Sequence, residues 1–139
     1  MGARDPLWYL VGMRLVVLCF ALIFVLFAAV LTGTYKGGYS GSSGATGDIQ
    51  VALTQADGGE WKAEVSFTLG SQDVKTKITS VKVDGSKVKI VYAFDLNGTS
   101  LESTITGELN GTSLAGDYHT KATADGSAVD EGTWKGTAQ

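Results

Sequence analysis

Residues 15–31 read LVVLCFALIFVLFAAVL, seventeen positions with no polar side chain apart from Cys19. Extended back to Leu7 the run has 25 residues and one charge, Arg14. At ~1.5 Å rise per residue the shorter run covers about 26 Å and the longer about 37 Å of helix. These lengths bracket a bilayer core of ~30 Å. The expectation is a single N-terminal transmembrane helix within residues 1–32, preceded by a short cytoplasmic stub. Trp8 and Tyr9 at one end, and Tyr35 and Tyr39 at the other, suit the two membrane interfaces. Arg4 and Arg14 precede the core of the run and Lys36 follows it, which puts the N-terminus in the cytoplasm and the C-terminal domain in the periplasm or outside the cell.

A cleaved signal peptide is the rival reading. Val30, Leu31 and Thr32 after Ala28-Ala29 fit a cleavage site poorly, although a cut after Gly33 is conceivable. Leu18 is too large for a lipobox before Cys19, and Pro6 stands where a myristoylation signal wants Ser or Thr. We therefore read an uncleaved anchor in contact with membrane lipid. Arg14 lies about one turn inside the run and reaches back to the headgroups; the alternative is an acid on a partner subunit. Ala21, Ala28 and Ala29 form a small-residue patch that suits packing against another helix.

Beyond residue 32 the texture changes to Gly, Thr, Ser and Lys alternating with Val, Ile, Leu and aromatics, without Pro. Residues 40–47 (SGSSGATG) read as a flexible Gly/Ser loop, and the rest alternates with period two, the pattern of strands. Asp84-Gly85, Asn97-Gly98 and Asn110-Gly111 sit between alternating runs, a strong hairpin signal. With those pairs as two-residue loops, one face carries Val88, Ile90, Tyr92, Phe94 and Leu96, then Leu101, Ser103, Ile105, Gly107 and Leu109, then Leu114, Gly116 and Tyr118. A three-residue loop at 56–58 keeps Ile49, Val51 and Leu53 on the same side as Trp61, Ala63, Val65 and Phe67. Ile78 and Val81 disagree in parity, which predicts a bulge between them.

Gly33-Thr34-Tyr35-Lys36-Gly37 and Gly132-Thr133-Trp134-Lys135-Gly136 are nearly the same pentad at opposite ends of the domain. Their strands would meet and close the meander, giving an all-β, up-and-down antiparallel barrel of about eight strands over 33–139. An open curved sheet or a sandwich is the alternative. The Gly-Thr-aromatic opening, the meander and the late Gly-Thr-Trp resemble small exported β-barrels of the lipocalin and avidin kind. The resemblance implies a barrel over residues 33–139 and a mouth that can hold a small ligand. It assigns no ligand residue.

The inward list is mostly large side chains, which favours a filled core. The competing reading is an apolar cavity lined by Tyr92, Ser103, Gly107, Gly116 and Tyr118, where small residues leave room. No catalytic constellation stands out. His119 is expected outward, opposite Glu102, as a surface pair, and a lone His without a nucleophile is no site. Asp117, Glu102 and Glu108 form, with Lys82 and Lys87, a mixed-charge solvated face. No Asp-x-Asp-x-Asp-Gly loop occurs, so neither metal nor other cofactor is implied. Asn97-Gly98-Thr99 and Asn110-Gly111-Thr112 match glycosylation acceptors but are already needed as turns. Residues 32–139 hold nine Lys, no Arg and thirteen acids, which argues against nucleic acid.

The expectation is a non-enzymatic, single-pass membrane protein of bacterial character. Its β-domain would serve as an accessory or stabilising subunit docked on other membrane-protein subunits, such as a respiratory or photosynthetic complex. The contacts with membrane and partner would be Trp8, Tyr9, Arg14, Ala21, Ala28 and Tyr35. The alternative is a tethered carrier of a small apolar ligand; an exported hydrolase is a distant third.

Overall fold

The computed structural model describes residues 31–139. The expected transmembrane helix, with Trp8, Tyr9, Arg14, Ala21 and Ala28, lies outside the described residues. Among those described, no helix is long and apolar enough to cross a membrane.

The region Thr32–Gln139 is a compact unit of nine antiparallel strands: β1 (Gly33–Gly41), β2 (Thr46–Gln55), β3 (Trp61–Leu69), β4 (Gln72–Lys75), β5 (Lys77–Asp84), β6 (Lys87–Leu96), β7 (Thr99–Asn110), β8 (Ser113–Ala122) and β9 (Ala128–Ala138). They form one sheet in the order β4-β3-β2-β1-β9-β8-β7-β6-β5, curled into a half-barrel. The two strands carrying the repeated pentads do pair, with Gly37 opposite Gly136 and Tyr39 opposite Trp134. The open seam falls instead between β4 and β5. The expected eight-stranded closed barrel is thus corrected to nine strands in an open curl.

Chain connectivity explains the curl. β4 and β5 are the two edges of the sheet, yet only Thr76 separates them. Laid flat, nine strands would span roughly 38 Å between edges at ~4.8 Å spacing, and the two steps from Lys75 through Thr76 to Lys77 reach only about 7 Å. The sheet must bend until its edges meet at that corner. There the Thr76 hydroxyl donates to the Val65 carbonyl of β3 at 2.5 Å.

Inward-facing glycines permit the bend. A Cβ at Gly116 would overlap the Thr106 carbonyl oxygen, with Thr106 C only 2.7 Å and Gly107 Cα 2.9 Å away. The missing side chain lets β7 and β8 close up on the concave side, as glycine does at barrel corners. Trp134 fills the space this leaves. Its side chain lies over Gly107, its indole Nε1–H donates to Thr106 O at 2.9 Å, and the residue is 2% exposed.

The hairpins keep the expected faces but shift their register. Leu96 pairs with Thr99 across Asn97-Gly98, as the sequence predicts. Both loop residues have positive φ, 52° and 81°, the signature of a type I′ turn. At the other two turns the loops are Gly85-Ser86 and Gly111-Thr112, with Asp84 opposite Lys87 and Asn110 opposite Ser113. Gly occupies the first loop position at φ 62° and 65°, as a type II′ turn prefers. The β2–β3 loop likewise runs from 56 to 60 rather than 56 to 58, and Gly59 takes the left-handed position. Each slip is two residues, so side-chain faces survive it. Cross-strand partners change: His119 faces Thr104 and Glu131, not Glu102. The bulge expected between Ile78 and Val81 appears as a register shift between Ile78 and Ser80. Of residues 40–47 only 42–45 form a turn; Ser40, Gly41, Thr46 and Gly47 belong to strands.

Candidate functional site

The concave face divides into two ends. Leu53, Val88 and Leu114 are buried with Trp134 at the end carrying the Gly85 and Gly111 turns. At the opposite end, near the turns at 42–45, 97–98 and 123–127, a cavity of about 190 Å³ remains.

Its wall is aromatic and aliphatic. Phe67 of β3 packs edge-to-face on Phe94 of β6 with ring centroids 5.1 Å apart, and on Tyr39 of β1 at 5.8 Å. Tyr39 meets Tyr118 of β8 edge-to-face at 5.8 Å. Tyr92 of β6 completes the group, 6.0 Å from Phe94 and 6.3 Å from Phe67. Each well-set aromatic pair contributes about 0.5–1.5 kcal/mol beyond its buried area. The contacts between Phe67 and the β6 rings cross the interior from one side of the open seam to the other. Ile49, Leu69, Leu96, Leu101 and Val129 line the rest of the apolar wall.

A few polar groups converge on this wall. Ser103 and Thr120 face each other across β7 and β8, both buried, with hydroxyls 2.5 Å apart. Burial pushes the Tyr92 phenol up to about 12, against a smaller opposing effect of its hydrogen bond with Ser103. The Tyr39 hydroxyl donates to Thr68 O at 2.5 Å. The Tyr118 hydroxyl donates to Asp130 Oδ2 at 2.7 Å, and Ser43 N–H donates to Asp130 Oδ1 at 3.1 Å. Burial raises the Tyr118 phenol, and its bond to Asp130 raises it further. For Asp130, burial pulls upward, but the hydrogen bonds from Tyr118 and Ser43 outweigh it and hold the carboxyl below its ordinary value.

Val129 and Asp130 are neighbours in sequence, yet both line the cavity. In a regular strand they would point to opposite faces. The β8–β9 register shifts just there: Asp130 pairs with Thr120 and Ala128 with Lys121. Such bulges re-aim side chains beside sites.

Of the five residues expected around a cavity, Tyr92, Ser103 and Tyr118 line it. Gly107 and Gly116 do not, because Trp134 and Leu114 occupy the space over Gly107, and Gly116 lies against Thr106. Tyr35 and Tyr39, expected at a membrane surface, belong to the concave side. Tyr35 is buried opposite Val51 and Ala138, and Tyr39 lines the cavity. The parity of β1 against β2 decides this.

Sequence reasoning passed over Ser43, Thr120 and Asp130. Thr120 continues the face of Leu114, Gly116 and Tyr118. Asp130 continues that of Trp134 and Gly132, so counting by twos reaches both. On the convex face His119 Nδ1 lies 3.2 Å from Glu131 Oε2, and Lys121 Nζ lies 3.5 Å from Glu102 Oε1. All four are solvated surface groups. Among the described residues no three His, Cys, Asp or Glu side chains gather as metal ligands. Comparison with known proteins adds no relative: no family model, curated protein or solved structure matches the chain.

Proposed function

We propose that residues 33–139 form a non-enzymatic binding module that holds a small, mainly apolar molecule in the aromatic mouth. The N-terminal apolar run would tether it to a membrane with the module on the extracytoplasmic side. The observation that carries the reading is the cavity itself: about 190 Å³, walled by Phe67, Phe94, Tyr92, Ile49 and Leu101, with polar groups at a few points. This is the composition of small-molecule sites, although below their ~300–1,000 Å³ range. An apolar cavity of about 150 Å³ holds benzene, so the natural occupant is one ring or a short branched chain. Ligand capture in a barrel mouth is also what the resemblance to lipocalin- and avidin-like barrels implies.

The accessory-subunit reading rests on the N-terminal run. The described surface gives it little help, since Val129 is the one exposed large hydrophobic side chain among the described residues. Titration of the full-length chain with 2-phenylethanol, followed calorimetrically, tests the binding reading. Saturable binding that Ala45→Trp abolishes supports it, because Ala45 lines the mouth from a turn and the indole would plug it. Equal heats from the plugged and unplugged proteins overturn it.

A further inference from the structure

Among the described residues, Asp130 is the one charged side chain lining the cavity. Its neighbours there are hydroxyls and hydrocarbon. On the convex face Lys121 is paired with Glu102, and His119 lies beside Glu131. The donors that hold the carboxylate, Tyr118 and Ser43, are neutral. They fix its direction without cancelling its charge.

The surroundings are shaped to keep it there. A Cβ at Gly41 would overlap both Asp130 oxygens and the Tyr118 hydroxyl. The glycine therefore leaves the space in which the pair lies. Asp130 keeps the inward parity of Gly132 and Trp134, and the bulge between Thr120 and Lys121 begins only beyond it. An aromatic hollow with an oriented, uncompensated carboxylate at its rim is complementary to a compact cation with a hydrophobic body. Charge-assisted hydrogen bonds to a carboxylate are about twice as strong as neutral ones, and electron-rich ring faces favour a cation over an anion.

We propose that the mouth selects a small primary amine, whose apolar part fills the cavity while its ammonium group donates to Asp130. The inference rests on the binding reading above and narrows it to one ligand class. A neutral or anionic occupant of the same shape would leave the carboxylate unpaired or repelled.

The test compares three probes of one size on the full-length chain: 2-phenylethylamine, 2-phenylethanol and phenylacetate. The chain is kept in a non-ionic maltoside, whose headgroup brings no competing cation. Amide NMR shifts of Ser43, Ser103, Thr120 and Asp130 separate cavity binding from partition into detergent. The amine is expected to bind at least about tenfold tighter than the alcohol, and phenylacetate not to saturate. Asp130→Asn should bring amine and alcohol within about twofold while alcohol binding persists. In the unsubstituted chain the amine's advantage should shrink as sodium chloride is raised, a readout that stands even if Asp130→Asn does not fold. Alcohol binding with no amine preference, or a preference indifferent to salt, overturns the amine assignment and leaves the binding reading intact. Saturation by none of the probes overturns both.

Discussion

Substituting Gly116 by Ala tests whether missing side chains on the concave face let the sheet curl. The new Cβ would overlap Thr106 O and stand 2.7 Å from Thr106 C and 2.9 Å from Gly107 Cα. Carbon–carbon contacts relax at about 3.5–4.0 Å, so β7 and β8 must part locally by roughly an ångström. Forcing a methyl group into a close-packed site costs about 1–3 kcal/mol. The shift also strains the bond from Trp134 Nε1 to Thr106 O, worth about 1 kcal/mol. The sum is about 3 kcal/mol, or a loss of at least about 12 °C in melting temperature for a unit of this size. Gly38→Ala is the control. Gly38 has no positive φ, and its nearest neighbour, Gly47 O, is 3.3 Å from the would-be Cβ. The reduced freedom of the unfolded chain then offsets mild crowding, and stability should stay within about 0.5 kcal/mol of the parent. Thermal unfolding followed by circular dichroism measures both. Equal destabilisation by the two substitutions, or a Gly116→Ala protein as stable as its parent, refutes the reasoning.

Three further outcomes are expected. Tyr92 and Tyr118 are held neutral by burial above the ordinary phenol value, Tyr92 up to about 12. Their contribution to stability is complete below about pH 10 and is lost as pH rises through the folded value. Tyrosinate absorbance should therefore show a late class of tyrosines that ionise as the fold fails, whereas uniform titration near pH 10 with the fold intact contradicts this. Asn97 has φ 52°, so Asn97→Ala should cost about 1–2 kcal/mol while Asn97→Gly stays near neutral in the same melting assay. Ser103→Ala should cost about 1–3 kcal/mol in chemical denaturation, because it leaves the buried Thr120 hydroxyl without its cross-strand partner; adding Thr120→Val should recover part of that loss.

The sequence made faces legible and registers less so. Alternation assigns Val88, Ile90, Tyr92, Ile105, Leu114 and Tyr118 to one side, and all six end within 6% exposure on the concave face. A two-residue slip leaves that pattern unchanged, and turn chemistry decides it. Asn97-Gly98 can place both residues at positive φ, whereas Gly85 and Gly111 take the first loop position and push Asp84 and Asn110 into the strands. The pairing of β1 with β9 was announced by the repeated pentads, but the seam was hidden in Thr76, a single residue between two short runs. The cavity was half legible. Tyr92, Ser103 and Tyr118 follow from parity, while Gly107 and Gly116 look like gaps only until Trp134 is placed over them. Asp130 follows from the parity of Gly132 and Trp134, whereas Val129 was obscured because the bulge at Thr120 and Lys121 sets it on the same site as its neighbour.

Intermolecular nuclear Overhauser effects between 2-phenylethanol and the full-length chain test the central claim most directly. Cross-peaks from the probe's ring to Phe67, Phe94 and Ile49, lost in Ala45→Trp, are the predicted result. Cross-peaks only to detergent, or to convex-face residues such as Thr104 and Lys89, would contradict it.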